Sequence, residues 1–387
     1  MDEAQLRERV AAFLSRNDPG GDRLTFLRAR FDAGLAWVWF PEGLGGLGIS
    51  RDLQQVVEQE LAGTPQLNGG VQGIGLGMAA PTILAFGTEE QKRRFLRPLW
   101  TGEEIWCQLF SEPGAGSDLA TLGTRAVRDG EEWVVDGQKV WTSGAHHARW
   151  GILVTRTDPD VPKHRGMTYF VCDMKAPGVD VRPLRQITGE AEFNEVFLTG
   201  VRLADDLRLG EVGDGWRVAQ TTLMNERVAI GGSPVRRGGG IVAAVLSTWR
   251  ERPELRTHEL HQRLLSLWVE AEVTRLSGAR LREQLAAGQP GPEGSGMKLS
   301  FAKLNQALSG LDVELRRELT YDDWTFRRSE GVDFYGRGAG YRYLRAKGNS
   351  IEGGTSEILR NIIAERVLGL PSEPRVDKDV PWKDLPR

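Results

Sequence analysis

The sequence predicts an α+β protein of several domains, with helices first, a β domain in the middle and helices again at the end. Three observations predict it. Apolar residues recur with a helical period within residues 1–106. From residue 107 to 203 the chain reads as short β-rich runs separated by turn residues. From Gly215 onward the helical period returns. A chain of 387 residues has room for two to three domains and a large buried core.

Each element follows from its residues. Leu6, Val10, Phe13 and Leu14 fall on one face of a first helix. Glycine-rich breaks follow at FPEGLGGLGIS (40–50) and NGGVQGIGLG (68–77). The run TEEQKRRFLRPLWTG (88–102) is a helix with its acids first and its bases later, as the helix dipole favours. In the β region, Asp129-Gly130 and Asp136-Gly137 sit among TRAVR, EEWVV and QKVWT. Each pair predicts a type I′ hairpin turn, because that turn needs positive φ. Further strands are expected at 150–156, 167–174, 179–184 and 194–203. They are too close together for helical crossovers, so a barrel or sandwich results. Leu264, Leu267, Val269, Val273, Leu276 and Leu285 suggest one long helix. Phe301, Leu304, Leu308, Leu311, Leu315 and Leu319 suggest another, joined to it by QPGPEGSG (289–296). The last residues read as a surface tail.

Composition narrows the function. Charged residues are 27% and the net charge is −3, which gives no pull toward nucleic acid or an anionic membrane. No apolar run reaches the ~18 residues of a spanning helix, and MDEAQLRERV lacks the apolar core of a signal peptide. Cys107 and Cys172 allow one disulfide at most, and a reduced cytoplasmic setting is the simplest reading. The five histidines form no metal cluster; His146 and His147 are expected to point apart on a strand. Gly73, Gly75 and Gly77, and again Gly336, Gly338 and Gly340, resemble loose dinucleotide-binding patterns. Neither follows a strand within a βαβ unit.

One segment is more specific. LFSEPGAGSDLA (109–120) joins the first helices to the β domain, and its backbone N–H groups with Ser111 and Ser117 could hold a heterocycle or phosphate. It resembles the flavin-binding signature of the acyl-CoA dehydrogenases. Four more blocks resemble that family in the same order: DGQKVWTSGA (136–145), FNEVFLTGVRL (193–203), GDGWRVAQTTLMNERV (213–228) and IEGGTSEILRNIIAERVLGLP (351–371). The resemblance covers the chain to Pro371. It implies an N-terminal α-helical domain (1–106), a middle β-barrel domain (107–211), a C-terminal four-helix bundle (212–371) and a tail (372–387).

What the resemblance implies is residue-specific. FAD would be bound by Phe110, Ser111, Gly116, Ser117, Trp141, Ser143, Thr355 and Glu357. Trp141 would cover the isoalloxazine ring, and Thr355 and Glu357 would reach the pyrophosphate and ribose. Ser117 and Arg227 would contact acyl-CoA, and the backbone N–H of Gly353 would hold the thioester carbonyl. Two glutamates compete as the base that takes the α-proton. Many family members place it directly before Gly-Thr-Ser, where this chain has Gly353; Glu352 falls one residue early. A smaller group places it in a Glu-Arg pair on an earlier helix, and Asn225-Glu226-Arg227-Val228-Ala229 matches that pattern. Glu226 is the preferred base. The implied reaction is α,β-dehydrogenation of an acyl-CoA, with electrons passed to an electron-transfer flavoprotein. A related oxidase and a non-catalytic subunit of a mixed tetramer are the alternatives. A homodimer, homotetramer or mixed tetramer is expected. An Arg-x-x-Phe-Gly segment common in the family is replaced here by RERPELRTHELHQRL (250–264), which bears on FAD contacts between subunits.

Overall fold

The computed structural model describes residues 1–67, 69–231, 235–286, 294–316, 326–328 and 338–385. They form two compact units. The first holds Met1–Pro183, Phe193–Thr222 and Asp377–Arg387; the second holds Leu184–Glu192 and Leu223–Val376.

The first unit begins with helices α1 (Glu3–Leu14), α2 (Arg23–Asp32), α3 (Gln54–Glu60), α4 (Gly69–Ile74), α5 (Ala80–Phe86) and α6 (Glu89–Thr101). Asp2 caps α1 in a reciprocal capping box with Gln5, and Leu6, Val10 and Phe13 are buried on its inner face. They pack with Val56 and Val57 of α3. Thr88 and Gln91 form the same box at α6, which ends at Gly102 in the left-handed region.

Eight strands follow: β1 (Trp106–Leu109), β2 (Arg125–Asp129), β3 (Glu132–Lys139), β4 (Trp150–Arg156), β5 (Met167–Asp173), β6 (Val179–Pro183), β7 (Asn194–Ala204) and β8 (Arg208–Leu209). They form one mixed sheet in the order β6-β7-β3-β2-β4-β5-β8, with β1 parallel to β4. Trp133, Val135, Leu153, Phe170 and Val196 fill its core. Cys107 and Cys172 lie in that core as free thiols. Burial pushes both above the ordinary thiol range, Cys172 to about 12, so neither is a ready nucleophile.

Four expectations change here. The β2–β3 hairpin turns at Gly130-Glu131, between paired Asp129 and Glu132. Only Gly130 there has positive φ (+64°), which fits a II′ rather than a I′ turn. Asp136-Gly137 is no turn; it lies inside β3, where the pairing with β7 shifts register. A Cβ on Gly137 would strike Thr124, and Asp136 accepts from the Gly200 N–H at 2.8 Å. The glycine admits a neighbouring backbone instead of reversing the chain. His146 and His147 sit on a turn, not a strand, with ring centroids 4.1 Å apart. The C-terminal segment, expected as a surface tail, returns to this unit: the Trp382 N–H donates to the Val161 carbonyl at 2.9 Å.

The division between units falls inside helix α7 (Gly215–Gly231), after Thr222. The second unit continues with α8 (Ile241–Glu251), α9 (His258–Ala286), α10 (Gly294–Arg316), α11 (Ala339–Ala346) and α12 (Ser356–Arg366). Its core joins Ile241 and Val245 to Leu264 and to Leu304, Leu308, Leu311 and Leu315 of α10. The apolar residues of α9 divide between two faces. Leu264 and Leu267 face the core, whereas Val269, Val273 and Leu276 are more than half exposed (54%, 58% and 57%). Most of the expected 289–296 turn, and Leu319 and Gly336, lie outside the described residues. Among the described residues no group of side chains could hold a metal, and no helix is long and apolar enough to cross a membrane.

Candidate active site

In the first unit the expected flavin residues come together around one turn. The loop after β1 doubles back at Glu112 and Ala115, whose main chains exchange hydrogen bonds of 3.0 and 3.1 Å. Pro113, Gly114, Gly116 and Ser117 are exposed, and a Cβ added at either glycine would meet nothing within 4 Å. These glycines are therefore not required by packing within the chain; they leave the space beside this stretch of main chain clear. Phe110, next to this loop, is buried with its ring edge against Tyr169, at 5.8 Å between centroids.

Beside the loop lies Trp141. The Val140 N–H donates to the Ser111 carbonyl at 2.8 Å, which ties the two segments together. On the other side the Thr142 N–H donates to the Asn194 carbonyl at 3.0 Å, and the Asn194 side-chain amide donates to the Thr142 carbonyl at 2.9 Å. Held from both sides, Trp141 takes φ +60°, the sole positive φ outside glycine among the described residues. Its indole is 57% exposed and meets Phe193 edge to face at 5.8 Å. A bulky residue in this region is a strained outlier, and such outliers cluster at ligand sites. Ser143 is half-buried on the same turn, next to Gly144 at φ +63°.

Two residues that sequence reasoning missed support the loop. Lys139 is fully buried; its Nζ donates to the Phe110 carbonyl at 3.0 Å and to Glu112 at 2.8 Å. Glu112 also accepts from the N–H groups of Gly123 and Thr124, at 2.7 and 2.9 Å. Burial opposes charge on both partners. It pulls the Lys139 ammonium below the usual lysine range, while Lys139 and the two N–H groups outweigh it at Glu112 and hold that carboxyl low. The readable signal was parity: Trp133, Val135 and Lys139 share the inward phase of β3.

In the second unit Glu352, Gly353, Thr355 and Glu357 gather at the start of α12. Thr355 caps that helix, accepting from the Ile358 N–H at 3.2 Å. Glu357 is exposed in the first turn, 3.4 Å from Arg360. Gly353 and Gly354 take φ of +63° and +95° in succession. Buried Lys298 donates to the Gly354 carbonyl at 2.6 Å. Burial lowers the Lys298 ammonium, and the charges of Glu352 and Glu226 partly offset this, so both candidate bases lie within its field.

Glu352 accepts from both terminal nitrogens of Arg345, at 3.2 and 2.8 Å, and from the Asn349 amide at 2.7 Å. A carboxylate gripped this way is committed to a fixed ion pair. Glu226 is half-buried on α7. Arg227 follows it in the helix, its side chain outside the described part of the structure.

The chain matches three family models in order: acyl-CoA dehydrogenase N-terminal domain (residues 2–103), middle domain (107–201) and C-terminal domain (213–368). It is 44% identical over 345 residues to acyl-CoA dehydrogenase FadE34 of Mycobacterium tuberculosis, covering 88% of this chain but 45% of that protein. The chain thus spans less than half the length of that relative. It is 39% identical over 347 residues to acyl-CoA dehydrogenase IpdE1 of the same organism, covering 88% and 86%. Similar solved structures include the Tcur3481-Tcur3483 steroid ACAD (TM-score 0.71, 25% identity, 96% and 100% of the two chains). The ChsE4-ChsE5 complex from Mycobacterium tuberculosis is another (TM-score 0.70, 28% identity, 96% and 97%).

Proposed function

The chain belongs to the acyl-CoA dehydrogenase family, and we propose that it removes two hydrogens from the α and β carbons of an acyl-CoA thioester, with FAD as cofactor and Glu226 as the base. The observation that carries the reading is the strained, exposed Trp141 fastened to the glycine loop by Ser111. The open main chain at Gly114 and Gly116 fits a flat, polar cofactor with phosphate groups. At the start of α12 the cap of Thr355 leaves other first-turn N–H groups to an anion, while the Glu357 carboxylate suits a ribose hydroxyl.

When bound, FAD supplies the two-electron chemistry by accepting the β-hydride. The chain's own residues prepare the substrate. The Gly353 N–H is assigned to the thioester carbonyl, making the α-proton acidic, and Glu226 takes that proton. Ser117 and Arg227 are assigned to acyl-CoA. The grip of Arg345 and Asn349 on Glu352 favours Glu226 as base. Two variants test the assignment in protein loaded with FAD. Glu226→Gln should retain flavin and bind acyl-CoA but lose ~10²-fold or more in the rate of flavin bleaching. Glu352→Gln should keep most activity. The reverse ranking returns the base to Glu352. A protein that takes up no flavin from excess FAD refutes the function as a whole.

The thioester panel for this assay should include branched and steroid side-chain substrates, because one similar structure is described as a steroid ACAD. Electrons are assigned to an electron-transfer flavoprotein; peroxide release in air would point to an oxidase instead. Buried, unpaired Cys107 and Cys172 favour a reducing, cytoplasmic setting. We assign an oligomer, either of like chains or with a relative. The exposed stripe Leu265, Val269, Val273 and Leu276 on α9 is the observation that favours assembly, mixed or not.

A further inference from the structure

The glycine loop is fastened at its far end by the C-terminal segment, and the fastening uses side chains that the proposed chemistry does not. Lys163 has a side chain only 8% exposed. Its Nζ lies 2.6 Å from Asp118, inside the loop, and 2.5 Å from Asp377, in the C-terminal segment. Five residues on, the Trp382 indole N–H donates to the Thr121 carbonyl at 3.1 Å. The Arg156 guanidinium lies over the Trp382 ring at 5.0 Å. That same guanidinium donates to the Ala120 carbonyl at 2.6 Å and to the Lys163 carbonyl at 2.7 Å. Main-chain bonds from Trp382 to Val161 and from Lys383 to Pro159, at 2.9 and 3.0 Å, hold the segment itself in place.

We infer that residues 377–385 form a strap that pre-orders the flavin loop, with Asp377 and Trp382 as positioning residues for the bound cofactor. The inference rests on the assignment of residues 109–120 to FAD. Its physics is entropic. Ordering a loop costs about 1–2 kcal/mol per residue in backbone freedom, and a loop ordered before binding spares the ligand that cost. The strap grips residues 118–121, while Glu112 and Lys139 grip the near end. Between the two grips Pro113, Gly114, Gly116 and Ser117 stay exposed to the ligand. Neither Asp377 nor Trp382 is assigned a contact with the cofactor, so both act through the loop.

The test uses the full chain with Trp382→Ala, Asp377→Asn and the milder Trp382→Phe, which keeps a ring under Arg156 but lacks the indole N–H. Two quantities are measured: amide exchange of residues 111–123 in the apoprotein, and the FAD dissociation constant from quenching of flavin fluorescence. Exchange at 118–123 should accelerate in Trp382→Ala and Asp377→Asn, while the helices of the first unit stay protected. The dissociation constant should rise about tenfold in Trp382→Ala, which is about 1.4 kcal/mol, and less in Trp382→Phe. Unchanged exchange and unchanged affinity in all three variants overturn the strap. Faster exchange with unchanged affinity also overturns it as a device for the cofactor. A parent chain that binds no FAD defeats instead the assignment on which the inference rests, and the exchange measurement separates that failure from the strap's own.

Discussion

A left-handed, non-glycine residue costs about 1–2 kcal/mol. Trp141→Asn should relieve much of that strain, since asparagine tolerates this region. The apoprotein should then melt no lower than the parent, while FAD affinity falls roughly 2- to 10-fold through loss of a stacked ring. Thermal melting and flavin titration check both halves. A lower melting temperature with unchanged affinity would mark Trp141 as a packing residue. Serine, glycine and tryptophan are residue types whose chemistry can be read, so the loop and its neighbour were legible as a candidate site. The left-handed backbone of Trp141 was not, because the Ser111 and Asn194 carbonyls that impose it come from distant stretches of chain.

At the scale of elements, alternation and turn residues located most of the strands, and apolar period located four helices, α1, α6, α9 and α10. β4 spans the expected 150–156, and α6 lies within the expected 88–102. Asp136-Gly137 misled because the same dipeptide serves a turn or a close backbone approach, and Thr124, which decides between them, belongs to the loop before β2. The corner between β7 and β8 makes a pH prediction. Asp205 accepts from Arg208 at 3.1 Å and from the Trp133 indole N–H at 2.7 Å, which lowers its carboxyl from the usual 3.8 to about 2. A depressed carboxyl adds stability that is complete above the unfolded value and lost as pH falls through the folded one. Urea midpoints should therefore fall more steeply with acidification for the parent than for Asp205→Asn, between about pH 4 and pH 2. Parallel curves would remove Asp205 from the acid response.

For the molecule as a whole, the order of helices, strands and helices was legible from periodicity alone. The assignment of residues 184–192 to the second unit was not. It goes with a short main-chain pairing, in which the Ala191 N–H donates to the Arg327 carbonyl at 2.9 Å and the Arg327 N–H to the Gly189 carbonyl at 3.0 Å, and with polar side-chain pairs: Tyr341 donates to Glu190 at 2.8 Å, and buried Glu192 lies 3.9 Å from Arg345. No sequence period encodes such pairs. The long apolar helix was legible too, but not its division into a core face and an exposed face. That division sets the prediction at this scale. The parent chain should be an oligomer by light scattering at micromolar concentration, and Val273→Glu on the exposed stripe should shift it to smaller species without unfolding it. A monomeric parent refutes the assembly, and an unshifted variant moves the interface elsewhere.

The paired glycines before α12 have a historical consequence. Under the reading in which Glu226 is the base, this lineage holds its carboxylate away from the place, directly before Gly-Thr-Ser, that the resemblance implies for many members of the family. Returning it there by one mutation means Gly353→Glu. That position has φ +63° and is followed by Gly354 at +95°. A glutamate there would start with about 1–2 kcal/mol of backbone strain, beside a carboxylate already held by Arg345. Reversion would need the turn to be rebuilt first, so the relocation of the base behaves as a ratchet, and descendants of this chain should keep both glycines for as long as they keep Glu226.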